Sequence, residues 1–389
     1  MRIAALMVDI CLLGEEEMSL ALSNGGDVNS SNSIMHKLLH IALDYPNDDP
    51  LLQVSALDQL ERLAVHDDSQ PLNLARADFL LANDFLRRGL LCLVGSPGGL
   101  SKENEEKEEW GEPDPINGGA ALRLLTEICR VGVANSASVS AATRIKFELL
   151  LSGFQKSLHN FHPQGELERL SFIYAVSSLV GSCAIVALSD VANRILSDTV
   201  LIQEWLSLHS RLSQPKLKST VLSSLSQVLE PTMWKGENLG LNNTTNDTTR
   251  PSDNVAQQLY QAFGHANNER DSTELILASA KSPFVEERLG AYNMIRALVM
   301  RGACVRLLLL YDDGTGGNGS SFLEWLLNPD IESTIEGKKA KYQIVVSMLS
   351  ANGDLLGGLI PARSLRHLEE WRNTGPHFIT TVPWEMATE

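Results

Sequence analysis

Two histidines three residues apart are the first candidates for chemistry in this chain of 389 residues. His159 and His162 occur in the stretch HNFHPQ, and their separation lets both side chains share one face of a helix. A zinc site needs three or four protein ligands, and no third ligand follows nearby in the sequence. The pattern therefore favours a polar helix end, and we expect no bound metal.

A glycine-rich stretch, DGTGGNGSS at 313–321, is the second candidate. A phosphate-binding loop needs a Lys-Ser or Lys-Thr pair after its last glycine and a strand before it. This stretch lacks the lysine and follows a predicted helix, so it indicates a surface loop. The sequence also lacks the Gly-x-Ser-x-Gly elbow, the His-Glu-x-x-His motif and the kinase motifs. We expect a protein that is not an enzyme and binds no cofactor.

The five cysteines lie far apart, and none forms a Cys-x-x-Cys pair. This spacing indicates neither a disulfide framework nor a zinc site, and it predicts buried thiols in a reducing compartment. We expect the cytoplasm, with the nucleus as a second location.

The formal net charge is −16 and the isoelectric point is about 5.0. Such a chain offers no basic surface to displace counterions from phosphates, so we expect no nucleic-acid partner. The uncharged stretch 170–189 has the length of a membrane span, but serines and a glycine dilute it. The tetrapeptide VGSC indicates a break between two shorter buried helices, and we expect no membrane partner.

A basic cluster in this acidic chain belongs to a well-specified helix. Ser333 stands three residues before Glu336, which is the capping-box spacing, and Asn352-Gly353 is predicted to end the helix. Apolar residues follow the cluster with a period near 3.6, at Ile344, Val345, Met348 and Leu349. The cluster itself is Lys338, Lys339 and Lys341.

Almost every periodic stretch in the sequence has the helical period. Only HFITTVPW near the end has an extended pattern. The predicted helices are 33–43, 51–65, 72–94, 119–134, 139–158, 165–180, 183–196, 199–211, 215–229, 254–265, 272–280, 284–300, 303–311, 321–328, 334–350 and 362–372.

Three of these helices share a repeated pattern of a proline, a short polar step and an apolar series. They are DDPLLQVSALDQLERLA, SQPKLKSTVLSSLSQVL and KSPFVEERLGAYNMIRAL. The pattern is typical of armadillo and HEAT repeats. We predict an all-α, armadillo/HEAT-like α-solenoid of stacked helix pairs with long loop insertions, and a single globular bundle is the alternative.

Composition divides the chain into five segments. We predict N-terminal helical repeats at 1–100 and an acidic linker at 101–115. Central helical repeats at 116–237, a low-complexity loop at 238–254 and C-terminal repeats with an extended tail at 255–389 follow. The two polar segments cannot bury a core, so we expect them to be exposed.

The segment from about 283 to 389 contains the stretches LGAYNMIRAL, FLEWLLNP and GKKAKYQIVVSML and the tail LRHLEEWRNTGPHFITTVPWEMATE. In these stretches it resembles the proteasome non-ATPase regulatory subunit 5 family. The resemblance implies a solenoid chaperone that assists assembly of the proteasome regulatory-particle base. It also implies that the partners are the C-terminal domain of one AAA-type ATPase subunit and associated base subunits, and that the free protein is a monomer. The alternative is a generic armadillo/HEAT adaptor in transport or trafficking.

The basic cluster has two interpretations. The lysine stems could cover apolar neighbours while their charges meet solvent or a local glutamate. Alternatively, Lys338, Lys339 and Lys341, together with Tyr342 and Arg366, could form a partner contact, because aromatic residues beside cations are common in interface anchors. We favour the first interpretation, since lysine is depleted at interface cores.

Overall fold

A computed structural model describes most of the chain, and every regular element in the described residues is a helix. No strand occurs among them, and the predicted all-α, solenoid-like fold is confirmed. The predicted extended tail and all but residue 114 of the segment 101–115 lie outside the described residues. The described residues are 5, 8, 9, 16, 34–43, 49–65, 74–95, 114, 117–136, 138–163, 165–187, 189–230, 251–268, 270–312, 320–328 and 331–376.

The helices are numbered along the chain. The first eight are α1 (Ile34–Leu43), α2 (Pro50–Ala64), α3 (Leu74–Ala82), α4 (Asp84–Leu93), α5 (Gly118–Ala134), α6 (Ala141–His159), α7 (Glu166–Ser182) and α8 (Asp190–Leu196). The remaining ones are α9 (Thr199–Arg211), α10 (Pro215–Leu229), α11 (Pro251–Ala266), α12 (Ser272–Ala280), α13 (Val285–Val299), α14 (Gly302–Leu310), α15 (Ser321–Leu327), α16 (Ile335–Leu359) and α17 (Ala362–Thr374).

The chain forms two compact units, divided between Ile202 and Gln203 within α9. This division falls inside the predicted central block 116–237. The predicted segment boundaries rest on composition and stay predictions.

In the second unit, α10, α13 and α16 form a row of parallel helices. Gly290 of α13 lies so close to α10 that an added Cβ would stand 3.0 Å from the Ser219 backbone. At the other end of the row, Asn352 of α16 donates from Nδ2 to the Val299 carbonyl at 2.7 Å. Stacking of equivalent helices in the same direction is the geometry of a solenoid.

The first unit contains a similar row made by α2, α5 and α7. Asn117, at the start of α5, donates from Nδ2 to Gln53 Oε1 in the first turns of α2 at 2.6 Å. Near the other ends, Ser182 Oγ lies 3.4 Å from the Cys129 carbonyl, while its shorter hydrogen bond is donated to the Ser178 carbonyl at 2.7 Å. Each unit therefore repeats the same helix arrangement.

The predicted repeat positions are buried where the pattern required. Each of the three repeat helices turns its apolar series inward, and no member of these series is more than 1% exposed. These residues are Ala56, Leu57, Leu60 and Leu63 in α2, Val221, Leu222, Leu225 and Val228 in α10, and Ala291, Tyr292, Ile295 and Leu298 in α13. Pro50 and Pro215 begin their helices, where the missing N–H is not needed, whereas Pro283 stands two residues before α13.

Several predicted helix boundaries were wrong, and local capping explains them. The predicted helix 72–94 is two helices, because Asn83 caps α4 by accepting from the Leu86 N–H at 2.8 Å. The predicted helix 183–196 begins only at Asp190, where Ser189 accepts from the Ala192 N–H at 3.1 Å. The last four residues of the predicted loop 238–254 form the first turn of α11, since Pro251 suits a helix start.

The break predicted at VGSC is confirmed, because α7 ends at Ser182. No helix in the described ranges is long and apolar enough to cross a membrane. Three cysteines, Cys129, Cys183 and Cys304, are buried. Burial raises the pKa of Cys129 and of Cys304 to about 12, so neither thiol ionises near neutral pH.

Candidate partner-binding site

A buried carboxylate organises the start of α16. Glu332, in the loop before the helix, is only 3% exposed. It accepts hydrogen bonds from Arg288 Nε at 3.1 Å, from the Tyr292 hydroxyl at 2.8 Å and from the Thr334 N–H at 2.8 Å. Since Arg288 and Tyr292 belong to α13, this one side chain connects the starts of two helices in the parallel row.

The hydrogen bonds decide the charge state of Glu332. Burial alone would raise its pKa, but the donors from Thr334, Tyr292 and Arg288 outweigh burial and lower the pKa to about 2. Burial, together with the neighbouring carboxylate, raises the pKa of Tyr292, so this hydroxyl remains a donor. The ion pair of Glu332 with Arg288 is therefore present throughout the neutral range.

Lys341 is the second buried charge of this region, and it is only 2% exposed. Its Nζ donates to the Trp325 carbonyl at 3.0 Å and to the Asn328 carbonyl at 2.9 Å. The same ammonium lies 4.9 Å from the centre of the Trp325 ring, within the range of a cation–π interaction. Burial lowers the pKa of Lys341 to about 8, against the opposing attraction of Glu332.

The capping of α16 differs from the prediction. Thr334, and not Ser333, is the N-cap, and its hydroxyl accepts from the Gly337 N–H at 3.1 Å. Glu332 accepts from both the N–H and the hydroxyl of Thr334, which holds Thr334 at the cap position. The predicted end at Asn352-Gly353 coincides with a break in the helix. Asn352 has non-helical backbone angles, φ −136° and ψ 24°, and a second helical segment continues from there to Leu359. The Asn352 amide donates to the Val299 carbonyl of α13.

The structure separates the five predicted contact residues. Lys339 is exposed, Lys338 is half-buried, and neither forms an ion pair with any described residue. Tyr342 donates from its hydroxyl to the Arg372 carbonyl of α17 at 3.0 Å. Arg366 is exposed on α17 and makes no hydrogen bond or ion pair within the described ranges.

Lys341 departs from both predicted interpretations of the cluster. Its ammonium is used inside the fold, so it neither meets solvent nor faces a partner. The sequence contained a signal for this. Lys341 stands three, four and seven residues before Ile344, Val345 and Met348, and this spacing puts it on the buried face of the helix.

Sequence reasoning missed three exposed apolar residues beside the lysines. Phe284 is 52% exposed, Val285 is 37% exposed and Ile335 is 59% exposed. Phe284 precedes α13 and the other two begin their helices. A signal existed, because each stands beside acidic residues of a first helical turn, outside the apolar period.

One serine lies within hydrogen-bond distance of a histidine, at Ser279 and His209. Their Oγ and Nε2 atoms are 3.1 Å apart, but the serine proton is donated to Glu287 at 3.1 Å. The histidine must then donate from Nε2 and cannot take the serine proton as a base. Since both residues are buried, this cluster is suited to holding α9, α12 and α13 together.

Among the residues that the structure describes, the predicted histidine pair belongs to no larger cluster of metal ligands. His159 Nδ1 lies 3.4 Å from Asp198 Oδ2, at the end of α6. Across the described residues, no three His, Cys, Asp or Glu side chains are grouped so that they could hold a metal ion.

A family model described as proteasome non-ATPase 26S subunit matches residues 206–389. The C-terminal part of this chain is similar to that proteasome family. The match covers just under half of the chain and includes the row α10, α13 and α16, both buried charges and the exposed lysines. It supports a proteasome-associated role. No curated protein matches the chain.

Proposed function

We propose that this protein is a non-catalytic chaperone that assists assembly of the proteasome regulatory-particle base. In this proposal it binds the C-terminal domain of one AAA-type ATPase subunit, together with associated base subunits, and is a monomer when free. The cytoplasm, and also the nucleus, is where such a protein would act.

The observation that carries the proposal is the family match over 206–389. It falls on the second unit, where parallel helices present side chains in a regular row, and solenoids commonly bind folded domains on such rows. Three charged side chains of that unit are buried and hydrogen-bonded within the fold: Glu332 with Arg288, Lys341 with two carbonyls, and Glu287 with Ser279. This arrangement suits a rigid binding protein.

A binding assay with purified components tests the proposal. The full chain is mixed with the separately expressed C-terminal domain of each proteasomal ATPase subunit, and binding is measured by calorimetry. We expect one of these domains to bind and the others to bind much more weakly. Binding to none of them would refute the proposal.

A pull-down from cytosol provides the second test. The bound fraction should contain base ATPase subunits and little peptidase activity, since an assembly factor would be absent from the finished particle. Recovery of peptidase-active particles in amounts equal to the ATPase subunits would contradict the chaperone role and favour a resident subunit.

A further inference from the structure

The three exposed apolar residues stand at the starts of α13 and α16, two helices that lie side by side in the parallel row. We name Phe284, Val285 and Ile335 the apolar edge. The Arg288 guanidinium connects the backbone just before Phe284 with the loop just before Ile335. Arg288 donates from Nη1 to the Pro283 carbonyl at 3.1 Å and from Nε to Glu332 at 3.1 Å.

Helix capping does not account for the large apolar residues at these positions. Phe284 occupies the N-cap of α13 without a capping hydrogen bond, a position where serine or aspartate would stabilise the helix. Ile335 is the first residue of α16, where an acidic residue would interact better with the helix dipole. Large apolar side chains at such positions, and exposed together, are typical of binding surfaces.

The charges around the apolar edge favour an acidic partner segment. Lys338 and Lys339 follow Ile335 by three and four residues, so they share its face of the helix. Glu286 and Glu336 are exposed nearby, but each lies in a first turn, where the positive end of the helix dipole offsets its charge. Lys216 at the start of α10 and Lys281, three residues before Phe284, are exposed as well. Together with exposed Lys339 and half-buried Lys338, these side chains carry four positive charges against two negative ones.

We propose that the apolar edge, with Lys338 and Lys339, binds a segment of the ATPase partner that has a large apolar side chain next to carboxylates. The apolar side chain would cover Phe284 and Ile335, and the carboxylates would pair with the two lysines. This inference rests on the proposed function and names the surface that performs it.

Two substitutions remove the apolar edge while preserving the fold. Phe284→Ser supplies the missing N-cap, and Ile335→Glu places a negative charge at a helix start. The matched control is Leu310→Ser, since Leu310 is 75% exposed in the same unit but ends α14. Binding of the full-length variants to the ATPase domain that the wild type binds is measured by calorimetry.

We expect each edge variant to weaken binding by about ten-fold or more, which is about the effect of losing one interface anchor. The control should weaken binding by less than two-fold. Melting temperatures should stay within a few degrees of wild type. Wild-type affinity in both edge variants would overturn this inference and leave the proposed function intact. Failure of the wild type to bind any ATPase domain would overturn both.

The charge of the partner segment has its own test. The double variant Lys338→Glu/Lys339→Glu should slow association and weaken binding, whereas the charge-matched Lys37→Glu/Lys156→Glu in the first unit should have a smaller effect. Tighter binding by the first variant would mean that the partner segment is basic, and would overturn the proposed occupant. Hydrogen exchange gives a second measurement, because binding should protect the amides of 282–288 and 333–339.

Discussion

Lys341 provides a sharp test of how burial and hydrogen bonding balance in this protein. In the variant Lys341→Met, a side chain of similar length loses both hydrogen bonds to the Trp325 and Asn328 carbonyls. Leaving the buried Trp325 carbonyl and the partly buried Asn328 carbonyl without their donor costs up to about 4 kcal/mol, at up to about 2 kcal/mol each. Burial of the charged ammonium lowers the stability of the wild type. The net effect of Lys341→Met on the free energy of unfolding therefore depends on whether Lys341 is charged.

The pKa sets the size and sign of this dependence. A pKa of about 8 in the folded chain, against 10.5 for an ordinary lysine, corresponds to about 3 kcal/mol. Because the folded-state pKa is the lower one, the unfolded chain holds an extra proton between pH 8 and pH 10.5. The contribution of Lys341 to the free energy of unfolding therefore rises with pH over this range. We expect Lys341→Met to lower the free energy of unfolding by about 1 kcal/mol at pH 7 and by about 4 kcal/mol near pH 10.5.

Local opening free energies from hydrogen exchange of the α16 amides, measured for both proteins across this pH range, test the prediction. Comparing wild type with the variant cancels the other groups that titrate in alkali. The control is Lys338→Ala/Lys339→Ala, which should change stability by less than about 0.5 kcal/mol at every pH. A constant difference between wild type and Lys341→Met would show that the buried ammonium titrates as it does in water, and would refute the reasoning.

Three further predictions concern the same unit. Glu332→Gln should lower the free energy of unfolding by up to about 3 kcal/mol at pH 7, since the pKa of Glu332 is lowered from 4.5 to about 2. The difference in stability between wild type and this variant, measured by urea unfolding, should vanish as the pH falls from 4.5 to about 2. Burial lowers the pKa of His209 from 6.5 to about 4, so wild type should lose up to about 3 kcal/mol between pH 6.5 and pH 4, and His209→Gln should lack this loss. Gly357→Ala, on an open face of α16, should stabilise by about 0.5–1 kcal/mol in thermal melts, whereas Gly337→Ala should destabilise because its Cβ would overlap the Glu332 carboxylate. Equal shifts for the two alanines would contradict the packing described.

Much of the helical framework could be predicted from the sequence. The 3.6-residue period placed Ala56, Leu60, Val221 and Ile295 in the core, because one apolar face per helix must be buried wherever the helix packs. The break after Ser182 was likewise local, set by a few small residues. Such signals act within one or two helical turns, so the sequence carries them without tertiary context.

The tertiary structure alone decided which partners the buried polar residues bond. Arg288 and Glu332 are 44 residues apart, and Lys341 donates to carbonyls 13 and 16 residues earlier in the chain. No local pattern specifies these pairs, because they form only when α13, α15 and α16 pack together. The same packing leaves Lys339 exposed and Lys338 half-buried, while it encloses Lys341, two residues after Lys339. A helix turns about 100° per residue, so residues that are close in the sequence can lie on different faces of the helix, one buried and another exposed.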